Sequence, residues 1–392
     1  MNDRQERVSY MTSAKIPPEE IALSDRLKRK IIRDIAFQDG WMSFAEYMDR
    51  VLYEPALGYY SGGSVKFGRD GDFVTAPEIS TLYGRTLAQA ILPILEQTGM
   101  RILEFGAGTG KLARDIMDEL AEAGRPAMQY SILELSGELR QRQQQTLAGY
   151  DAVCWLTALP ERFDGVVIAN EVLDAIPVQL VVRRGGSWHE LGVACEDGEL
   201  VMRERPADDT LSEAIACRIP DADGLAEGYI TEIHTRASGF VRTLADMLAL
   251  GNAGALVLSD YGFPAHEYYH PDRSSGTLMC HYRHQAHTDP FHLPGLEDVT
   301  AHVDFTAVAR EAERGGLDVL CYANQAAFLI GAGLLERLGK AAKSNTGDPA
   351  QLRAVQTLLS PAEMGELFKV MVLGHRIRPP AFMSAIDRSG RL

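Results

Sequence analysis

Arg101-Ile-Leu-Glu-Phe-Gly-Ala-Gly-Thr-Gly-Lys111 decides how the rest of the chain is read. Ile102 to Phe105 has the composition of a buried strand. A glycine-rich turn follows, and then a predicted helix from Lys111 to Leu120, whose apolar positions Leu112, Ile116 and Leu120 recur every fourth residue. Strand, tight turn and helix together make a nucleotide-handling unit.

Spacing and charge narrow the choice of nucleotide. A dinucleotide fingerprint needs G-x-G-x-x-G, with the pyrophosphate seated on the helix N-terminus. Here Gly106, Gly108 and Gly110 give G-x-G-x-G, and Lys111 stands where the third glycine belongs. A G-x-x-x-x-G-K-[ST] phosphate loop also fails, because Gly106 to Lys111 is too short and Leu112 replaces the magnesium-binding hydroxyl. Glu104, two residues before the first glycine, would repel phosphate but suits a cationic ligand. S-adenosylmethionine carries both an ammonium and a sulfonium, and E-x-G-x-G-x-G closing a strand has the form of its loop. A structural glycine turn ahead of a helix is the plainer alternative.

Toward the C-terminus, Tyr130-Ser-Ile-Leu-Glu134 reads as a second buried strand that ends in a carboxylate 28 residues past Gly106. In nucleotide-binding α/β units an acid at this strand end takes the ribose hydroxyls, and Glu134 is assigned that role. Ala152 to Trp155 predicts a third strand. Val166 to Ala169 predicts a fully apolar fourth, running into the polar turn Asn170-Glu-Val-Leu-Asp174. Open α/β sheets place ligands at the carboxyl ends of such strands. Glu171 and Asp174 could there grip a guanidinium, which keeps its charge and matches carboxylates geometrically. Simple helix capping by Asn170 competes with that reading. Val178 to Arg205 alternates around Gly185-Gly186 and Asp197-Gly198, predicting an inserted β-meander. A helix is expected over Thr231 to Leu250, a strand over Ala255 to Asp260 and a helix over Asp304 to Gly315. A last strand covers Leu317 to Tyr322, with helices from Ala326 onward, broken by a loop from Ala341 to Ala350. Alternating strands and helices argue a doubly wound α/β sheet. The loop histidines His281, His284, His287 and His292 lack ordering cysteines, and no metal site is expected there.

Toward the N-terminus, Met1 to Ile21 is polar, and Leu23 to Phe37 reads as a helix with Leu27, Ile31, Ile32 and Ile35 on its apolar stripe. Ser43 and Glu46 make a capping box. Tyr53 to Gly63 is aromatic and glycine-rich, and its tyrosines could line a site or plug a loop. Thr75 and Glu78 form a second predicted capping box, with Pro77 in the first turn, ahead of Leu82, Leu87, Ile91 and Leu95. That structural reading is sufficient for Glu78, and Gly99 closes the helix.

Composition sets the outer bounds. The 392 residues, 24% charged and 46% hydrophobic, are ordinary for a globular enzyme of two or three domain-sized units. A net charge of -15 disfavours phosphate backbones, and the Asn-Pro-Pro-aromatic tetrapeptide of amino-methylating DNA enzymes is absent, so no nucleic acid is expected. Five separated cysteines indicate neither a disulfide framework nor a thiolate zinc site and suit a reducing compartment. No apolar run approaches the ~20 residues of a membrane span. The first 15 residues carry Asp3 and Glu6, which reads as neither a secretory signal nor a clear mitochondrial leader.

Taken together, Leu57-Gly-Tyr-Tyr60, Gly71 to Ser80, Leu103 to Gly110, Ala169 to Val178, Asp260-Tyr-Gly262, Gly276-Thr-Leu278 and Asp298 to Phe305 carry a resemblance. Over roughly Phe44 to Leu329 the chain resembles the MidA-like family of S-adenosylmethionine-dependent methyltransferases. That family's mitochondrial members are arginine methyltransferases that help assemble respiratory complex I. The resemblance implies a class I, Rossmann-like seven-strand methyltransferase sheet with S-adenosyl-L-methionine as cofactor. It implies cofactor contacts at Glu104, Gly106, Ala107, Gly108, Gly110, Glu134 and Asn170. Asn170, Glu171 and Asp174 would face the transferred methyl, and Tyr59, Tyr60, Glu78, Asp260 and Tyr261 would meet the substrate.

The expected organisation has five parts. Residues 1–98 form a helical region with an aromatic, glycine-rich lid, and 99–177 the first half of the core. Residues 178–229 form the meander insertion, 230–325 the second half of the core and 326–392 a helical region. A bacterial cytoplasmic relative with a protein arginine acceptor is the expectation, and self-association is left open. A partner-docking assembly protein that keeps the fold, and a small-molecule methyltransferase, are the alternatives.

Overall fold

The apolar runs flanking the glycine loop become neighbouring parallel strands of one large mixed sheet. They are seen in a computed structural model that describes residues 16–62, 75–343 and 349–392. We number its main strands β1 (Arg101–Phe105), β2 (Gln129–Leu133), β3 (Val153–Leu156), β4 (Gly165–Asn170), β5 (Gly254–Phe263), β6 (Asp318–Asn324) and β7 (Phe368–His375). Their order is β3-β2-β1-β4-β5-β7-β6, with the short strand Val303–Asp304 added beside the end of β5. Strands β1 to β5 pair in parallel, whereas β7 runs antiparallel to both β5 and β6.

Both faces of this sheet are buried, which is why its strands read as continuous apolar runs rather than alternating ones. Ile102, Val166 and Val257 pack with the helices Thr81–Thr98 and Lys111–Glu122. On the opposite face Leu103, Val167 and Leu256 meet Thr235–Ala249 and Phe305–Arg314. A second sheet carries the meander Gln179–Arg184, Ser187–Glu196 and Glu199–Pro206, with Met42–Ser43 and Ile230–Ile233 at its edges. The helix Pro18–Phe37 buries Leu27, Ile31 and Ile35 in the core that this sheet shares with Phe44–Tyr53.

Several expectations need correction. Thr231 to Ile233 is a strand, and the helix begins at Thr235, because the Ile-Thr-Glu-Ile run pairs with Gln179–Val182. The N-terminal helix starts at Pro18 rather than Leu23, Pro17 and Pro18 suiting its first turn. Residues 326–392 are not purely helical. Phe368-Lys-Val-Met-Val-Leu-Gly-His375 is strand β7, inserted between β5 and β6, so the strand near residue 317 is not the last. Apolar but for Lys369 and His375 and buried on both faces, it cannot be told from a buried helix by periodicity. The stretch 178–229 holds the helix Asp209–Arg218 besides the meander. The histidine stretch is a hairpin, Met279–Tyr282 with Gln285–His287, rather than an open loop. Gly71 to Val74 of the Gly71–Ser80 motif, Gly63, and the centre of the predicted 341–350 loop lie outside the described residues.

Candidate active site at the carboxyl edge of the sheet

Parallel strands that end together leave a crevice at their carboxyl ends. Here a cavity of about 560 Å³ occupies it, bounded by Phe105 to Thr109 after β1, Leu133 to Leu135 after β2 and Asn170 to Pro177 after β4. Gly106 and Gly108 have φ of +59° and +52°, a left-handed backbone that suits glycine, and nothing stands within 4 Å of where a Gly108 Cβ would sit. The loop's backbone therefore lies open to the cavity.

The next helix fixes the acid at the end of β2. Ser136 N donates to Glu134 Oε1 at 2.9 Å, and Gln143 Nε2 donates both to Glu134 Oε2 at 2.8 Å and to Gly108 O at 3.1 Å. Trp155 Nε1 in turn donates to Gln143 Oε1 at 2.9 Å. Gln143, fully buried, thus ties the glycine loop to the carboxylate assigned to ribose. Glu104 lies deeper. Burial raises its pKa to about 8, opposed by the hydroxyl of Tyr130, which donates at 2.8 Å.

After β4 the chain turns sharply, with Glu171 at φ +52° and its N–H donating to Ser259 O on β5 at 2.8 Å. Glu171 Oε1 accepts from Ala76 N at 3.2 Å and from Asn170 Nδ2 at 3.0 Å. Asn170 Oδ1 accepts from the hydroxyl of Tyr83 at 2.7 Å. Desolvation, then the charge of Asp174, raises the Glu171 pKa to about 8. Desolvation raises Asp174 to about 6 against a hydrogen bond from Tyr261. Asp174 Oδ1 is buried with no hydrogen-bond partner among the described residues. Six acids line the cavity, Asp49, Glu78, Glu104, Glu134, Glu171 and Asp174, and neither lysine nor arginine joins them among the described residues. Such a wall favours a cationic ligand.

Among the predicted site residues, Glu104, Gly106, Ala107, Gly108, Glu134, Asn170, Glu171, Asp174, Tyr60 and Glu78 border the cavity. Gly110 does not. It closes the loop as N-cap of the following helix, packed on Gln143 and Leu147. Tyr59 is 1% exposed in the N-terminal core, away from the wall. Asp260 is buried behind the site, where Oδ2 accepts from Leu173 N at 2.9 Å and Asp174 N at 3.3 Å, so it shapes the turn rather than meeting substrate. Tyr261 packs on His302 and Phe368 and reaches Asp174 from the same side. The capping box at Thr75 is also corrected. Thr75 makes no side-chain cap, the long helix starts after Ser80, whose Oγ accepts from Leu82 N at 3.2 Å, and Glu78 accepts from the Thr109 hydroxyl.

Sequence reasoning missed Tyr83, Gln143 and Asp49, and left Tyr53 open between lining a site and plugging a loop. The first two act through pairings with no local pattern. Tyr53 donates to Ala175 O at 3.0 Å and stacks on Tyr60 at 5.5 Å, and its place in the aromatic stretch was the available signal.

Comparison with known proteins bears on this geometry. The family described as "Putative S-adenosyl-L-methionine-dependent methyltransferase" matches residues 86–323. A crystal structure of a Burkholderia thailandensis protein bound to S-adenosyl-homocysteine is 46% identical with a TM-score of 0.90, covering 97% of this chain and 100% of that one. Protein arginine methyltransferase NDUFAF7, mitochondrial, from Danio rerio is 28% identical over 390 residues, covering 88% of this chain and 87% of the relative. The Homo sapiens protein of the same name is 27% identical over 377 residues, covering 85% and 80%.

Proposed function

Because the chain belongs to the S-adenosyl-L-methionine-dependent methyltransferase family, we propose that its cavity directs methyl transfer to a guanidinium nitrogen of an arginine in a protein substrate. One observation carries this reading: Glu171 and Asp174 stand three residues apart on the turn after β4, inside a cavity walled by six acids without a lysine or arginine among the described residues. The arginine acceptor is further supported by the names of the NDUFAF7 relatives. The complex I connection and the seven-strand class I arrangement belong to the same reading. So does a cytoplasmic setting, which suits the five unpaired cysteines.

The residues fit the cofactor by charge and shape. Glu134 would take the ribose hydroxyls, the open backbone of Gly106 to Gly108 would lie along the amino-acid portion, and Glu104 sits where positive charge is welcome. When bound, S-adenosylmethionine supplies an electrophilic methyl on a sulfonium, so the chain's own task is alignment and charge. Asp174 borders the cavity and its buried Oδ1 lacks a donor among the described residues, so a small turn of the side chain would let it accept an N–H of the guanidinium. Glu171, held by Ala76 N and Asn170 Nδ2, fixes the second side of the fork. Methylation of a guanidinium nitrogen releases one proton. Burial holds the Glu171 pKa up at about 8, and a guanidinium and sulfonium beside it would draw it down and favour the carboxylate that receives the proton.

Glu171→Gln tests the assignment, with turnover measured from labelled S-adenosylmethionine and affinity from S-adenosylhomocysteine calorimetry. The expected result is a loss of at least ~100-fold in kcat, in the range for removing a general base, with cofactor affinity little changed. Full turnover in the variant would remove Glu171 from the catalytic step, and no turnover by the wild type would return the chain to the docking alternative.

A further inference from the structure

Four metal-ligating side chains converge outside the cavity, where the hairpin Met279–Tyr282 and Gln285–His287 meets the segment before Asp298–Thr300. Ligand atoms of Cys280, His287 and Glu297 lie within 4.8 Å of one another. Glu297 Oε1 is 3.0 Å from His287 Nε2 and 2.6 Å from His292 Nδ1, and the two imidazole rings stand 5.2 Å apart. The Glu297 side chain is 1% exposed, yet its Oε2 has no hydrogen-bond partner among the described residues. A buried carboxylate oxygen left unmatched is costly unless something else meets it.

We propose that Cys280, His287, His292 and Glu297 bind one divalent transition-metal ion of the zinc class. Thiolate, two imidazoles and a carboxylate make a donor set that zinc accepts in tetrahedral geometry, with ligand bonds of about 2.0–2.3 Å. The cluster need only contract around the ion, and the one-third exposed His292 leaves an entry path. A hydrogen-bonded His-Glu-His cluster explains Oε1 but not Oε2.

The protons balance without a redox step. Cys280 loses its thiol proton as the sulfur–metal bond forms. In the metal-free protein Asp289 N donates to His287 Nδ1 at 3.2 Å, so Nε2 carries the ring proton. Metal binding at Nε2 moves that proton to Nδ1 and releases the Asp289 contact. His292 Nδ1 carries the proton it shares with Glu297 Oε1 at 2.6 Å, and metal binding at Nδ1 moves that proton to the more exposed Nε2. The ion would clip the hairpin to the segment whose next residue, Asp298, accepts from the cavity tyrosine Tyr60 at 3.0 Å.

The test uses the untagged full-length protein, dialysed against chelator and titrated with cobalt(II) and then zinc(II). The expected result is one cobalt per chain, with tetrahedral visible bands and a thiolate-to-metal charge-transfer band, both displaced by zinc. Cys280→Ser should abolish the charge-transfer band. Glu297→Gln and the surface-lying His292→Ala should weaken binding by at least ~10-fold, as loss of a metal-site contact does. S-adenosylhomocysteine affinity certifies the fold of each variant and reports on the cofactor site separately from the metal. No saturable binding by the wild type, or equal affinity in folded His292→Ala and Glu297→Gln, would overturn the proposal.

Discussion

Glu171 concentrates the physics of the site in one residue. It sits at a left-handed backbone angle that glycine would adopt more readily, and its surroundings raise its pKa from 4.5 to about 8. A carboxyl group whose folded pKa exceeds its unfolded value binds more protons when folded. Its favourable contribution is therefore complete below pH 4.5 and is lost as pH rises through 8. Glu171→Gln should thus be more stable than the wild type at pH 8, by about 1–2 kcal/mol once contact with the open cavity is discounted, with the difference vanishing near pH 4.5. Denaturant titrations at pH 5 and pH 8 would check this, and equal stabilities at pH 8 would refute the raised pKa. At this scale much was legible. Glu104, Glu134, Glu171 and Asp174 announce themselves by standing at strand ends beside glycines or turns. The burial of Asp260 behind the turn and the pairing of Glu78 with Thr109 in place of a Thr75 cap were not legible. A carboxylate's neighbours 87 or 31 residues away leave no mark on local sequence.

The loop between β1 and the helix Lys111–Glu122 borders the cavity and is the element on which, in the proposed function, cofactor binding would turn. Space is free around a Gly108 Cβ, so Gly108→Val should fold, with a backbone penalty of about 1–2 kcal/mol for φ > 0. Its side chain would project into the cavity. S-adenosylhomocysteine affinity should fall by roughly 100-fold or more, about 2.7 kcal/mol, and unchanged affinity by calorimetry would remove the loop from the site. Other elements were legible where they carry local rules. Ser43 caps its helix through Glu46 N, Gly99 ends another at φ +84°, and the meander turns at Gly185-Gly186 and Asp197-Gly198 fall where expected. Strand β7 was not, because every residue from Phe368 to Gly374 is buried and such a run shows neither helical nor alternating period.

At the scale of the whole molecule, the cavity exists because the sheet's carboxyl edge is roofed by the N-terminal region, through Asp49, Tyr53 and Tyr60. The order of the strands makes β7 indispensable: it pairs with β5 over eight residues and with β6 along its other edge. Truncation before Phe368 would expose both neighbours and should yield an unfolded or aggregated chain, read by loss of a cooperative melting transition. A well-folded truncate would contradict the topology. Among the described residues no helix is long and apolar enough to cross a membrane.

The most direct test of the account is to incubate the wild type with methyl-labelled S-adenosylmethionine and a hypomethylated whole-cell protein extract, and to identify the labelled residue by mass spectrometry. The account predicts label on arginine guanidinium nitrogens, lost with Glu171→Gln. Label confined to small molecules or to other side chains, from protein that still binds S-adenosylhomocysteine, would contradict it.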